Sequence, residues 1–350
     1  MKKAFRGYQI IYVDSDFLLL YRNFCIYQYV IKNETIRSVC MIPSNGLKNI
    51  LSRFRLSNRL LRLSPRCCEK LSDCQYVLSL CNKTWVVNIS IGTVTAINTE
   101  RVGFSTPLNL CRCNNKIYWG DYGANPSYES VNIYELNDSL EMKTVYTFQS
   151  GAVRHIHNII FDAELDGFWV LTGDNEKNAG IYKATKDWQT VTPFKTGEQK
   201  YRAVVGYPCR GGLIYATDSV EHENFLYYIN SQGVESILTT INGSCIYGGE
   251  TKDYYLFSTT VESPEGGGIK AMLSTRLGGG IKNRNVELLR VDKHTKQISI
   301  VTSYTKDCWP MKLLQYGVIT IPSGQECNNA LWIHPIACRN ADGCNIQIKV

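Results

Sequence analysis

Arg154-His155-Ile156-His157 is the stretch of this sequence richest in chemistry, in a chain that holds five histidines in all. On an extended strand, residues i and i+2 face the same way. Both imidazoles can therefore enter one site, as a general base with a helper or as two ligands of a metal. A second reactive pair, Tyr201-Arg202, stands at the equivalent position about one repeat later. A histidine base, a tyrosine acid and an arginine that neutralises a uronate carboxylate are what a β-elimination needs. The catalytic candidates are His155, His157, Tyr201 and Arg202. The competing use of the histidines is structural, as hydrogen-bonded props between neighbouring units.

Around them stand candidates for binding a substrate: Arg154, Asp121, Tyr122, Tyr128, Glu129, Asp174 and Asp218. Arginine suits bidentate carboxylate contacts, and tyrosine rings suit stacking on sugars. Asp121, Asp174 and Asp218 recur at the same place, in YWGD, LTGD and YATD. A residue repeated in every unit points to turn capping through local hydrogen bonds. The sequence calls for no cofactor and no metal cluster. It contains no CxxC pair, which removes most zinc motifs, but it leaves room for a divalent metal between His155 and His157.

These residues are positioned by a repeat of roughly 40 residues. NKIYWGDYGANPSYESVNIYEL (115–136), DGFWVLTGDNEKNAGIYKA (166–184), GGLIYATDSVEHENFLYYIN (211–230) and YGVITIPSGQECNNALWIHPI (316–336) share one pattern: a turn, a strand, a small or acidic tip, a polar loop and a second strand. Leading strands such as HNIIFD and MKLLQY and outer strands such as KTVYTF complete four-stranded units. The expected fold is all-β: a β-propeller with seven four-stranded blades, or six if the first is an irregular cap, in a single domain over 1–350. Residues 44–62 read as an inserted amphipathic helix with basic residues between apolar ones. Such a helix can dock weakly on a membrane or a protein, though its commoner use is to pack its apolar face on its own domain. The Gly-rich segment 261–285 reads as a flexible flap.

In a propeller, the loop entering the innermost strand A and the loop joining strands B and C lie on one face. FQSGAVRHIH, KTGEQKYRAV, the three Asp-bearing tips, 261–285 and SGQECNN are therefore expected to gather there, at the channel mouth.

Bulk composition narrows the function classes. With 44% hydrophobic and 20% charged residues, the chain is globular. A net charge of +7 is concentrated in 47–70 rather than in a recognisable nucleic-acid module, so no nucleic-acid partner is expected. Of 14 cysteines, Cys81, Cys111, Cys245 and Cys338 lie in apolar runs and read as small hydrophobes. No signal peptide or membrane-length apolar run stands out. A reduced, cytoplasmic protein is expected.

IYWGDYGANPSYESVNIYEL, VRHIHNIIFDAELDGFWVLTGDNE, GEQKYRAVVGYP and LIYATDS resemble a sialidase-like (BNR/Asp-box-type) propeller group associated with polysaccharide gene clusters and without one settled activity. Only fragments of an Asp-box remain, in NDSLEMKTV (137–145) and KATKDWQTV (183–191). A sialidase would also need a three-arginine clamp, for which Arg154, Arg202 and Arg66 are the candidates. The resemblance implies a glycan context. The expected function is action on, or binding of, an acidic oligo- or polysaccharide, as a polysaccharide lyase or glycoside hydrolase. The alternative is a non-catalytic scaffold in a glycan-assembly complex.

Overall fold

The computed structural model describes residues 2–97, 101, 104–105, 107–325 and 330–349. They form seven four-stranded antiparallel sheets arranged as the blades of a propeller. The inner strands A, from the first blade to the seventh, are Gln9–Val13, Cys68–Lys70, Cys111–Cys113, His155–Asp162, Ala203–Cys209, Cys245–Glu250 and Val318–Thr320. A two-stranded ribbon, Phe104–Ser105 with Tyr122–Gly123, lies beside the third blade.

Apolar side chains alternate along the strands and interdigitate between blades. Trp169, Leu171 and Ile181 of the fourth blade, for example, pack with Tyr201, Ala203, Leu213 and Tyr215 at the fifth. Burying these aromatic and branched side chains drives ring assembly at about 25 cal/mol per Å² of apolar surface. Cys111, Cys245 and Cys338 are buried in these layers, as their apolar context implied, and Cys81 is half-buried. No disulfide joins the described cysteines.

The ring closes differently from the sequence expectation. Lys2–Ala4 pairs with Asn345–Lys349 and supplies the outer strand of the seventh blade. The C-terminal segment then needs only three strands. MKLLQY (311–316) is therefore not the leading strand: Met311–Leu314 is a short helix, and Val318–Thr320 is strand A. SGQECNN consequently follows strand A, and its described residues 323–325 belong to the face opposite the histidines. Its residues 326–329 lie outside the described residues.

The helical insertion at 44–62 is present as two short helices, α1 (Gly46–Leu51) and α2 (Arg55–Leu61). Asn45 caps α1 by accepting from the Lys48 amide at 2.8 Å. Two further helices, α3 (Gly268–Met272) and α4 (Met311–Leu314), stand on the same face, because each lies in a B–C loop or in a loop entering strand A. Leu51 of α1 packs against the core of the first two blades, while most other apolar side chains of the insertion are exposed. The one side chain of α2 that is buried is Arg59, which bonds the Leu314 carbonyl and pairs with Asp307 at 2.7 Å and Asp342 at 3.4 Å. No helix among the described residues is long and apolar enough to cross a membrane.

Candidate functional site

Strand A of the fourth blade carries both histidines, but not on a regular strand. His155 pairs with Gly173 and Ile156 with Thr172, after which the register slips and Asn158 pairs with Leu171. His157 is the extra residue of a β-bulge, a device that re-aims a side chain. The same slip recurs in strand A of the first, fifth and sixth blades. Gly173 makes the arrangement fit, since a Cβ there would lie 2.2 Å from Cε1 of His157.

The two rings are 3% and 2% exposed and tilt toward each other with Nε2 atoms 3.0 Å apart. Nδ1 of His155 lies 2.6 Å from the Gly123 carbonyl, and Nδ1 of His157 lies 2.9 Å from the Ala203 carbonyl. A carbonyl oxygen only accepts, so each Nδ1 carries a proton, and a ring that holds only this proton presents a bare Nε2. Oδ1 of Asp174, just past strand B, is 3.3 Å from both Nε2 atoms. Three acceptors therefore converge with no donor among them, and a shared proton or a cation must satisfy all three.

Burial, aided by repulsion from His157, holds His155 below the usual histidine range despite its hydrogen bonds to Asp174 and Gly123. That disfavours the shared proton. Burial works to raise Asp174, and what holds its carboxyl well below the ordinary range is bonding from the histidines and their charge when protonated, so positive charge at this point is what the carboxylate needs. The separations match the edges of a coordination face, because ligand atoms bonded at about 2.1 Å to a tetrahedral or octahedral ion stand ~3.0–3.4 Å apart. The backbone-carbonyl partners of both Nδ1 atoms are the outer bonds that metal-ligating histidines usually make. His155, His157 and Asp174 could hold a metal ion.

Charged groups surround this cluster. Arg154 is 3.4 Å and Arg202 3.5 Å from Asp174. Arg202 also meets Glu265 at 3.1 Å and Asp218 at 3.6 Å. Burial alone would weaken the charge of Arg202, but Asp218, Asp174 and Glu265 hold it protonated. Burial, with Asp174 adding repulsion, lifts Asp218 to about 6 against the pull of Arg202. Nearby Glu262, buried beside the hydroxyls of Ser244 and Thr260, is lifted to about 7, burial being the larger cause and Asp218 the next.

Tyr122 links the cluster to a cavity. Its ring centre is 4.8 Å from that of His155, and the Arg66 guanidinium is 5.5 Å from it. Tyr122 and Arg66 line a cavity of about 540 Å³ together with Lys48, Arg62, Tyr247 and Tyr316. Among the described residues no Asp or Glu lines it.

The other candidates are placed elsewhere. Tyr201 is buried between blades, its hydroxyl donating to Glu235 at 2.5 Å, so its phenol does not meet the histidines. Asp121 caps its own turn: it pairs with Arg101 and accepts from the Asn132 amide at 2.8 Å and the Tyr134 hydroxyl at 3.0 Å. Tyr128 accepts from Asn175 and lines a separate, open cleft, and Glu129 is exposed. The segment 261–285 is pinned at both ends: Glu265 and Gly279 donate their amides to Glu221, and the Gly280 amide donates to the Val220 carbonyl. Gly173, Lys48, Arg62, Tyr247, Tyr316, Glu262 and Glu265 were not among the sequence candidates. The glycine before a recurrent Asp and the acid-free run 44–68 were the signals available for Gly173, Lys48 and Arg62.

No family model matches the chain, and no curated protein is similar to it. Solved structures are similar in shape. An oligogalacturonate lyase from Vibrio parahaemolyticus superposes with a TM-score of 0.55 at 8% identity, over 99% of this chain and 90% of that one. An oligogalacturonate lyase in complex with manganese gives 0.54 at 8% identity, with the same coverage. A chain of the mitotic checkpoint complex gives 0.55 at 7% identity, over 100% of this chain and 92% of that one. The likeness is one of fold. At such identity the propeller is common to proteins as different as a lyase and a checkpoint component, so the residues at the channel mouth carry the functional argument.

Proposed function

We propose that this propeller binds an acidic oligosaccharide at the channel mouth and cleaves it by β-elimination, with a divalent cation held by His155, His157 and Asp174. The observation that carries this reading is the convergence of three acceptors, two of them oriented by backbone carbonyls, at ligand-to-ligand spacing. Two-histidine, one-carboxylate sets suit Mn²⁺, Fe²⁺ and Zn²⁺. When bound, the ion supplies positive charge against the uronate carboxylate and the carbanion that proton removal generates. The cavity with Lys48, Arg62, Arg66 and three tyrosines, which no described acid lines, offers an anionic sugar both charge and stacking surfaces. That an oligogalacturonate lyase with manganese shares the fold supports the same direction.

In this reading the histidines are ligands rather than the base, and the expected roles move. Asp218, lifted to about 6, accepts the proton from the carbon next to the uronate carboxylate. The glycosidic C–O bond breaks, a C=C bond forms in the sugar, and the leaving oxygen takes a proton from a hydroxyl of the wall, the candidate being Tyr122, whose ring lines the cavity beside His155. Arg202 holds Asp218 and Asp174 in position. The sialidase-like reading is less favoured, because Arg154 and Arg202 both face Asp174 and Arg66 faces Tyr122.

The test is turnover of oligogalacturonate and other uronate oligosaccharides with added Mn²⁺, read by the ultraviolet absorbance of the unsaturated product. Wild type should turn over. Asp218→Asn should lose at least a hundredfold in kcat while binding Mn²⁺ normally, and Asp174→Asn should lose both. Metal binding without turnover on any uronate oligosaccharide would sink the lyase reading and leave a metal-bound glycan receptor or scaffold.

A further inference from the structure

The four short helices build one cap on the face that carries the channel mouth. The Arg62 guanidinium donates to the Lys312 carbonyl, and Lys312 donates to the Gly266 carbonyl at the base of α3. α4 thus bridges α2 and α3. Ten large apolar side chains are exposed on this cap: Leu47, Ile50, Phe54, Leu56, Leu60, Leu61, Ile269, Met272, Leu273 and Trp309. They are more than half of the large apolar side chains exposed over the described residues. Leu47 is 66%, Phe54 62% and Ile269 77% exposed, so these are tips and not edges of the core. A monomer has no use for such a concentration, which marks a contact surface.

Charge selects the occupant. From Ser44 to Cys68 the chain carries no Asp or Glu. Lys48, Arg53, Arg62, Lys270 and Arg276 are exposed among the apolar tips. The acids that touch the cap, Glu265, Asp307 and Asp342, are already paired, with Arg202, with Arg59, and with Arg55 and Arg59. A second copy of the same face would bring these cations together, so self-association through it is opposed. The tips project from separate short helices instead of lining a groove that a peptide could fill. The chain enters α3 through left-handed backbone, with φ of +124° at Gly266 and +84° at Gly268, the first residue of the helix. Projecting apolar tips ringed by Lys and Arg are what an interface-lying segment presents to anionic lipid.

We propose that the α1–α4 cap docks on an anionic bilayer, apolar tips among the acyl chains and cations on the headgroups, with the channel mouth turned toward the membrane surface. This stands apart from the proposed chemistry, which is read on soluble oligosaccharide without lipid. The test is co-sedimentation of the full chain with vesicles of phosphatidylglycerol and phosphatidylcholine, against phosphatidylcholine alone. Wild type should pellet with the anionic vesicles, and binding should weaken at high salt. Phe54→Ser combined with Ile269→Ser, and separately Arg53→Glu combined with Lys270→Glu, should each reduce partitioning at least tenfold with an unchanged unfolding midpoint. Both pairs sit on exposed side chains, so folding should be preserved. No pelleting with anionic vesicles, equal pelleting of wild type and variants, or a wild-type dimer that the Phe54/Ile269 variant turns into a monomer would each overturn the proposal.

Discussion

The Nε2 atoms of His155 and His157 face each other at 3.0 Å while both Nδ1 atoms are committed to backbone carbonyls. Two lone pairs at that distance repel, and Asp174 adds a third acceptor at 3.3 Å from each. The arrangement is stable only with positive charge among the three. Calorimetric titration with Mn²⁺ or Zn²⁺ is expected to give one equivalent bound per chain. Saturation at ~100 times Kd should stabilise the fold by ~2.7 kcal/mol, and a chelator should reverse it. His155→Gln and Asp174→Asn should each weaken binding at least tenfold. A wild-type chain that binds neither ion would leave the shared proton as the satisfier.

Gly173 is expected to be as necessary as the ligands. A methyl group at this position meets the His157 ring at 2.2 Å, inside any tolerated contact. His157 sits on a bulge wedged against the Ala203 carbonyl and has little room to retreat. Gly173→Ala should therefore cost ~1–3 kcal/mol of stability through overpacking. It should also weaken metal binding at least tenfold by turning the ring. An unaltered titration in this variant would show that the ring position is not what gathers the ligands.

Much of this architecture was legible in the sequence, for a physical reason. Propeller strands are short, regularly spaced and bounded by turns, so the repeat survives loss of sequence identity between blades. What was hidden depends on partners far along the chain. Sequence pattern alone sets the last blade one strand out of step, because its outer strand comes from Lys2–Ala4. The recurrent acids show the limit of periodic reasoning. Asp121, Asp174 and Asp218 each follow strand B directly, yet only Asp121 caps its turn. Asp174 meets histidines of its own blade, and Asp218 meets Arg202. Equivalent backbone positions received different neighbours, and strand patterning does not encode them.

Arg66 is expected to select for acidic sugars. Its guanidinium lies over Tyr122 within a cavity that no described carboxylate lines, next to the histidine cluster. A hydrogen bond to a charged group contributes about 1.5–3 kcal/mol. Arg66→Ala should therefore weaken uronate oligosaccharide binding ~10- to 100-fold by the same measure. Arg66→Lys should restore part of it, and a neutral oligosaccharide should bind both variants alike. Equal loss for acidic and neutral sugars would mean that Arg66 shapes the cavity without reading charge.

The last expectation concerns pH. Glu262 is lifted from its ordinary value to about 7 by burial and by repulsion from Asp218, although Ser244 and Thr260 hydrogen-bond to it. Below the ordinary glutamate range, both folded and unfolded chains hold this proton. Between that range and about 7 the folded chain keeps the proton and the unfolded chain releases it. The unfolded state then binds fewer protons, so stability falls as pH rises through this window. Glu262→Gln keeps the shape and the hydroxyl partners but removes the titration. It should match wild type near pH ~4, where the group is protonated in both states, and exceed it by of order 2 kcal/mol near pH ~8. Denaturant unfolding of both proteins across this range checks the sign. A gap that narrows with rising pH would mean that Glu262 is ionised in the folded chain and held so by Arg202 or a bound cation.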